Sequence, residues 1–305
     1  MRNIRSIVFL SAVAILAAGC QTTFNDAVST TTFAPLATTS STLPPTTTTT
    51  SPSTTTTATA TTTTATTLPQ AACTIERLGT DEDFYRKRCL QNDIAIVSAE
   101  SVDDLALESA ADRIAGLLTA RPDLAESIAA SIDGVAIIGR DQRITDLPEF
   151  EDLYKIHPGT DWHRLGRSFP GTEEIPVAAG AEENLLCLES DRFEGEDMFV
   201  RDFGWTIRRF GIALVDHDLD RAIEAAYGRA IAADLWRNTV AEVNSDMYWA
   251  EGVQSFFDAN NEEIDEKDQI HNHVDTREEL RSYDPVLYEL LVRAFGETEW
   301  RPECP

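Results

Sequence analysis

The arrangement of apolar residues predicts an α+β fold, with a small strand-containing lobe followed by a mostly helical one. Residues 94–139 read as strand, helix, helix and strand, and four later stretches carry apolar residues at helical spacing. Residues 21–72 have no such periodicity, so the folded part is residues 73–305. Its first element is Ile94-Ala95-Ile96-Val97, a short continuous apolar run of strand length. A helix is predicted from Asp103 to Leu118, with Leu105, Ala106, Ser109, Ala110, Ile114, Leu117 and Leu118 on one side, ending before Arg121-Pro122. A second helix runs to Ile132, and Gly134-Val135-Ala136-Ile137-Ile138-Gly139 reads as a buried strand. The residues between those glycines are apolar and no helix opens directly after them, so this is no phosphate loop. Residues 140–181 carry Pro148, Pro158-Gly159, Pro170-Gly171 and Pro176 and are predicted to be ordered loops. They close the first lobe, at about 73–181. The second lobe, 182–305, is predicted to hold a strand at Leu185-Leu186-Cys187-Leu188 and helices at about 196–211, 218–235, 239–260 and 284–295.

The start of the chain speaks to location. Arg2 and Arg5 precede an apolar run from Ile7 to Leu16, and Leu16-Ala17-Ala18-Gly19-Cys20 reads as a small-residue cleavage site. A Cys at that place resembles the bacterial lipoprotein box, which implies a signal peptide over residues 1–20 and lipidation of Cys20. Its partner would be the membrane, and the protein would be extracytoplasmic and lipid-anchored. Residues 21–72 are Thr-rich, with Ser, Ala and Pro and the single charge Asp26, and are read as a disordered stalk. When extended at ~3.1 Å per residue, it would hold the folded part on the order of 150 Å from the membrane.

The chain carries a net charge of −27. Removing Arg2, Arg5 and Asp26 leaves 23 basic and 51 acidic residues, hence −28 for residues 73–305. Nucleic acid and anionic lipid surfaces would repel such a domain, so neither is an expected partner of it. Four cysteines follow Cys20: Cys73, Cys89, Cys187 and Cys304, an even number suited to an exported domain. Three pairings are possible. Proximity in sequence favours Cys73 with Cys89, and Cys304 would fasten the chain end to Cys187. No two lie at the short spacing of a zinc site, and oxidised cysteines supply no thiol nucleophile.

Few residues offer chemistry. No Gly-x-Ser-x-Gly elbow is present. Asp216, Asp218 and Asp220 alternate like a calcium loop, but Arg221 and Tyr227 stand where Gly and a bidentate Glu are required, so a solvated helix start is expected. His271 and His273 share a face if the segment is extended, and with Glu251 or Asp268 could reach one ion. His157, His163 and His217 lack a sequence partner and are expected to be structural. Residues 199–210 place Phe199, Phe203, Ile207 and Phe210 at helical spacing, which fits an amphipathic helix with Arg201, Arg208 and Arg209 solvated.

A resemblance gives this helix a second meaning. Glu182-Glu183-Asn184-Leu185-Leu186-Cys187, the helix at 201–205, Tyr248-Trp249-Ala250-Glu251-Gly252-Val253-Gln254-Ser255-Phe256-Phe257-Asp258 and the tail from His271 to Cys304 resemble secreted bacterial metallopeptidase-like proteins of the Glu-zincin type. The resemblance covers about the last 125 residues and implies a zincin-like fold. In that family the helix carries His-Glu-Phe-Ala-His or close to it, two His four apart binding zinc and the Glu activating water, while a later helix adds a third ligand. Here Arg201 stands at the first His, Asp202 at the Glu, Trp205 at the second His and Glu251 at the third ligand, with Phe203 kept. Arg and Trp have no lone pair for a metal. The resemblance therefore implies a pseudoenzyme without catalytic residues or cofactor, keeping a binding cleft formed by Arg201, Trp205, Tyr248, Glu251 and His271 for a protein, peptide or envelope ligand. Arg201 and Glu251 are expected to pair directly or through one water, covered by Trp205. A hydrolase with a rearranged metal set of Glu251, His271 and His273, and an envelope spacer that binds nothing, are the alternatives.

Overall fold

A computed structural model describes residues 73–80, 83–263 and 270–305. The signal peptide, Cys20, the Thr-rich stalk and Asp268 lie outside the described residues.

The strands are β1 (Glu76–Arg77), β2 (Lys87–Gln91), β3 (Ile94–Ser98), β4 (Gly134–Ile138), β5 (Ser168–Phe169) and β6 (Val177–Ala181). They form one mixed sheet in the order β1-β2-β3-β4-β6-β5. β2 and β3 form an antiparallel hairpin whose two-residue loop, Asn92-Asp93, has positive φ at both positions, the geometry that matches strand twist. From β3 the chain crosses over through helices α1 (Asp104–Leu118) and α2 (Pro122–Ser131) and returns as β4, parallel to β3, as the strand-helix-helix-strand reading required. Asp103 caps α1 by accepting from Leu105 N.

Residues 140–181 contain more than loops. Helical turns α3 (Leu153–Ile156) and α4 (Trp162–Leu165) precede β5 and β6, and β6 pairs parallel with β4. Its sequence, Val-Ala-Ala-Gly-Ala, is too small-sided to announce a strand, yet all five residues are buried. Alternation along the strands explains why. Val135, Ile137 and Ala178 join the main core, whereas Ala136, Ile138, Val177 and Ala179 face a second core with Ile144, Leu147, Phe150 and Phe169. The proline-rich segment thus covers the other face of a sheet whose parallel part must be buried on both sides.

The expected strand at 185–188 is instead a helical turn, α5 (Glu182–Leu185), followed by Cys187 with φ 50°. Side-chain bonds account for it: Asn184 holds Asp191 at 2.7 Å and receives Met198 N, which folds the backbone back rather than extending it. Then come α6 (Met198–Thr206), a π-helical stretch Ile207–Ile212, α7 (Ala213–Val215), α8 (His217–Ala232), α9 (Ser245–Phe256), α10 (Arg277–Tyr283) and α11 (Pro285–Phe295). The sequence reading omitted α10. Asp216 caps α8, accepting from Leu219 N at 3.0 Å, and pairs with Arg293 at 2.7 Å, as a helix start should.

α6 and α9 cross at close range. A methyl on Gly204 would lie 2.9–3.1 Å from three side-chain atoms of Val253, and Trp249 Nε1 donates to the Gly204 carbonyl at 3.0 Å. Phe203, 1% exposed, stacks on Phe199 beneath the sheet. Burying a side chain of that size stabilises by about 1.5–3 kcal/mol. Cys73 is bonded to Cys89 and Cys187 to Cys304, the pairing favoured by sequence order. No helix of the described residues is long and apolar enough to cross a membrane.

Candidate functional site

Helix α6 is held at its start by Asp197. This buried carboxylate accepts from Val200 N and from Arg113 Nε of α1 at 2.5 Å, while its carbonyl accepts from Gln254 Nε2 of α9. One turn on, Arg201 is 14% exposed and donates through Nε to Asp202 Oδ1 at 2.9 Å. The other Asp202 oxygen accepts from Ser168 Oγ of β5, and Thr206 Oγ1 donates to the Pro170 carbonyl. These bonds lay α6 beneath the edge strand. Asp202 thus has both oxygens engaged.

Glu251 projects from α9 into the same region and is 2% exposed. Asn260 Nδ2 lies 3.4 Å from Oε2, and Oε1 is buried without a hydrogen-bond partner among the described residues. Burial raises its carboxyl from 4.5 to about 7, against the attraction of Arg201 and His271 and with the help of repulsion from Glu196. The Arg201 guanidinium is raised in turn by Asp202, Glu251 and Glu196, which outweigh the effect of burial. No direct ion pair joins Arg201 to Glu251 among the described residues; the two act on each other electrostatically. Arg201 makes its ion pair with the adjacent Asp202, because that carboxylate is presented on its own helix, and acts on Glu251 at longer range.

His271 joins the cluster through Glu196, Nε2 to Oε2 at 3.3 Å, both side chains being 7% exposed. His273 does not join it. It is exposed, and its ring meets Tyr283 edge-on at a centroid distance of 5.2 Å. The segment is too irregular to keep the two imidazoles on one face, so Glu251, His271 and His273 do not converge. Among the described residues no group of three or more His, Cys, Asp or Glu is arranged to hold a metal.

Two other expected cleft residues are placed differently. Tyr248 is fully buried; its hydroxyl donates to Asp284 at 2.8 Å, beside the indole of Trp236, which donates to the same oxygen. It belongs to the packing of α9 against α11. Trp205 is half-buried and lies against the Arg209 guanidinium, 5.9 Å from ring centroid to carbon. Arg208, expected in solvent, is buried against Asp220, Glu224 and Asp246. Glu196 and Asn260 had no place in the sequence reading. Both come from loops, and only the fold brings them to Glu251.

The residues do not fit zinc. Arg201 and Trp205 lack a lone pair, Asp202 is occupied by Arg201 and Ser168, and Glu251 stands in the field of a fixed cation. What the cluster does is set one buried cation, Arg201, against Asp202, Glu196 and Glu251, with His271 in contact with Glu196. No family model, curated protein or solved structure matches the chain.

Proposed function

We propose that this is a lipid-anchored surface protein whose extracytoplasmic domain is a metallopeptidase-like module without hydrolytic chemistry, serving as a binding or structural module. The observation that carries the reading is Arg201, whose guanidinium sits among Asp202, Glu251 and Glu196. A protein cation at that point supplies the charge that an inherited metal would have supplied, and leaves no ligand for one. Support for the zincin-like ancestry comes from two placements: α6 lies under a short antiparallel edge strand, and α9 delivers a carboxylate toward the middle of α6. The two disulfides fit an oxidising compartment outside the cytoplasm. Cys20 would supply the membrane attachment, with several lipid chains each contributing about 0.8 kcal/mol per buried CH₂.

Burial of Tyr248, Glu251 and His271 gives the helix pair a structural task, holding the sheet and the C-terminal helices together. The test is metal analysis of purified residues 73–305 together with digestion of a peptide library. Zinc well below one equivalent and no cleavage are expected. Chelator-sensitive cleavage that disappears in Glu251→Gln would overturn the reading.

A further inference from the structure

A hollow of about 330 Å³ lies elsewhere on the molecule, at the carboxyl ends of the parallel strands β4 and β6. Its lining includes Arg140, Arg143, Arg167, Arg192, His163 and Trp162. Cations are scarce in this chain, 25 Lys and Arg against 52 Asp and Glu, yet four arginines edge one small space. The carboxylates there are Asp141 and Glu183, and even with Glu182 added the arginines outnumber them.

The four arginines divide by task. Arg167 is buried and saturated: it grips Glu183 through Nε at 2.6 Å and Nη2 at 2.5 Å, and donates to the carbonyls of Gln142 and Gly139 at 2.7 and 3.2 Å. Arg140 is tied to Glu182 by its backbone N at 2.9 Å and by Nη2 at 2.8 Å. These bonds build the wall. The side chains of Arg143 and Arg192 are exposed and have no carboxylate partner among the described residues; the Arg143 backbone N donates to Asp146 Oδ2 at 2.8 Å, and Arg192 donates to the Arg164 carbonyl at 3.1 Å. A different kind of observation points the same way. The indole Nε1 of Trp162 is a buried donor with no acceptor among the described residues.

We propose that this hollow binds a doubly charged oxyanion of the phosphate type. Arg143 and Arg192 supply forked donors suited to paired oxygens, and the Trp162 N–H supplies a neutral one. The net charge of the domain does not forbid it, because charges beyond about 8 Å are largely screened at physiological ionic strength while the arginines act at contact. The space is at the lower end of small-molecule sites, large enough for a phosphate with a sugar-sized substituent. The site is independent of the proposed peptidase ancestry, since none of its residues belongs to α6 or α9.

The test is calorimetric titration of the intact full-length protein, in detergent, with inorganic phosphate and separately with glucose 6-phosphate, at matched ionic strength with chloride as the control anion. Saturable binding of at least one phosphate probe is expected with Kd below about 1 mM. Arg143→Gln and Arg192→Gln should each weaken it by about tenfold or more. Arg221→Gln, at an exposed arginine paired with Asp218, should leave it unchanged. Thermal unfolding of each variant checks that it is folded. Tighter binding of the sugar phosphate supports an organic phosphate as ligand, and equal binding supports free phosphate. The proposal is overturned if neither probe saturates, or if folded Arg143→Gln and Arg192→Gln proteins bind as the parent does.

Discussion

Replacing Glu251 with Gln is expected to stabilise the protein at neutral and alkaline pH and to remove a downward slope in its stability. Glu251 has one oxygen with a long contact to Asn260 and one with none, and it sits 2% exposed between Arg201, His271 and Glu196. Its folded carboxyl is raised from 4.5 to about 7, so between those values the folded chain holds a proton that the unfolded chain has released. The stability is therefore fully present below pH 4.5 and is lost as pH rises through about 7. At about 1.4 kcal/mol per unit of difference, the loss amounts to roughly 3 kcal/mol. Gln keeps the shape and cannot ionise. Urea unfolding of residues 73–305 and of Glu251→Gln, followed from pH 4.5 to 8.5, should give two curves that separate by about 3 kcal/mol across that range, with the variant higher at the alkaline end. Asp275, raised to about 6 by burial and by Glu279, slopes the same way but is common to both proteins and cancels in the difference. Parallel curves would falsify the reasoning, and so would a variant that is less stable at pH 8.

Gly204→Ala places a methyl against Val253 and should destabilise the domain by about 1–3 kcal/mol in thermal or urea unfolding. Combining it with Val253→Ala should cost less than the sum of the two single changes, and strict additivity would show that the two residues do not meet. Cys304→Ser opens a loop of sequence separation 117, which a chain-entropy argument values at about 4–5 kcal/mol. Unfolding of the oxidised parent and the variant measures this, and non-reducing peptide mapping of the parent should recover Cys187 joined to Cys304.

The parts of the fold visible in the sequence are those whose apolar residues are both large and continuous. Ile94–Val97 and Val135–Ile138 could hardly be anything but buried strands, and the helices between them carry clear apolar stripes. β6 escaped notice because Ala178, Ala179 and Gly180 are small by necessity; a methyl on Gly180 would lie 2.7 Å from the Phe199 ring. β2 was hidden by Lys87 and Arg88, although Lys87 is buried and pairs with Asp104 at 2.7 Å. α10 is marked in the sequence by the capping box of Thr276 and Glu279, three residues apart ahead of Leu280. At the site, the helix positions of Arg201, Asp202 and Glu251 could be read, since spacing along a helix fixes direction. Which partner each would take could not be read. Asp202 competes with Glu251 for Arg201 from one residue away, and Glu196 and Asn260 arrive from loops. The arginine-lined hollow was equally silent, because Arg140, Arg143, Arg167 and Arg192 come together only when β4, β5 and β6 pair.

The two disulfides divide the domain into parts that can and cannot be stretched. Cys73 is bonded into β2 at Cys89, and Cys304, next to the last residue, is bonded back to Cys187. Tension between the chain ends therefore runs through sulfur at both places and bypasses everything the two loops enclose. Only the roughly one hundred residues from Cys89 to Cys187 can lengthen under load, by a contour on the order of 350 Å. The sheet hairpin, its crossover and the arginine-lined hollow lie mostly in that extensible span. Helices α6 to α11, with Arg201 and Glu251 among them, hang as a covalently closed loop that feels no pull, so an oxidised molecule under traction would surrender its sheet while its helical half stayed unloaded.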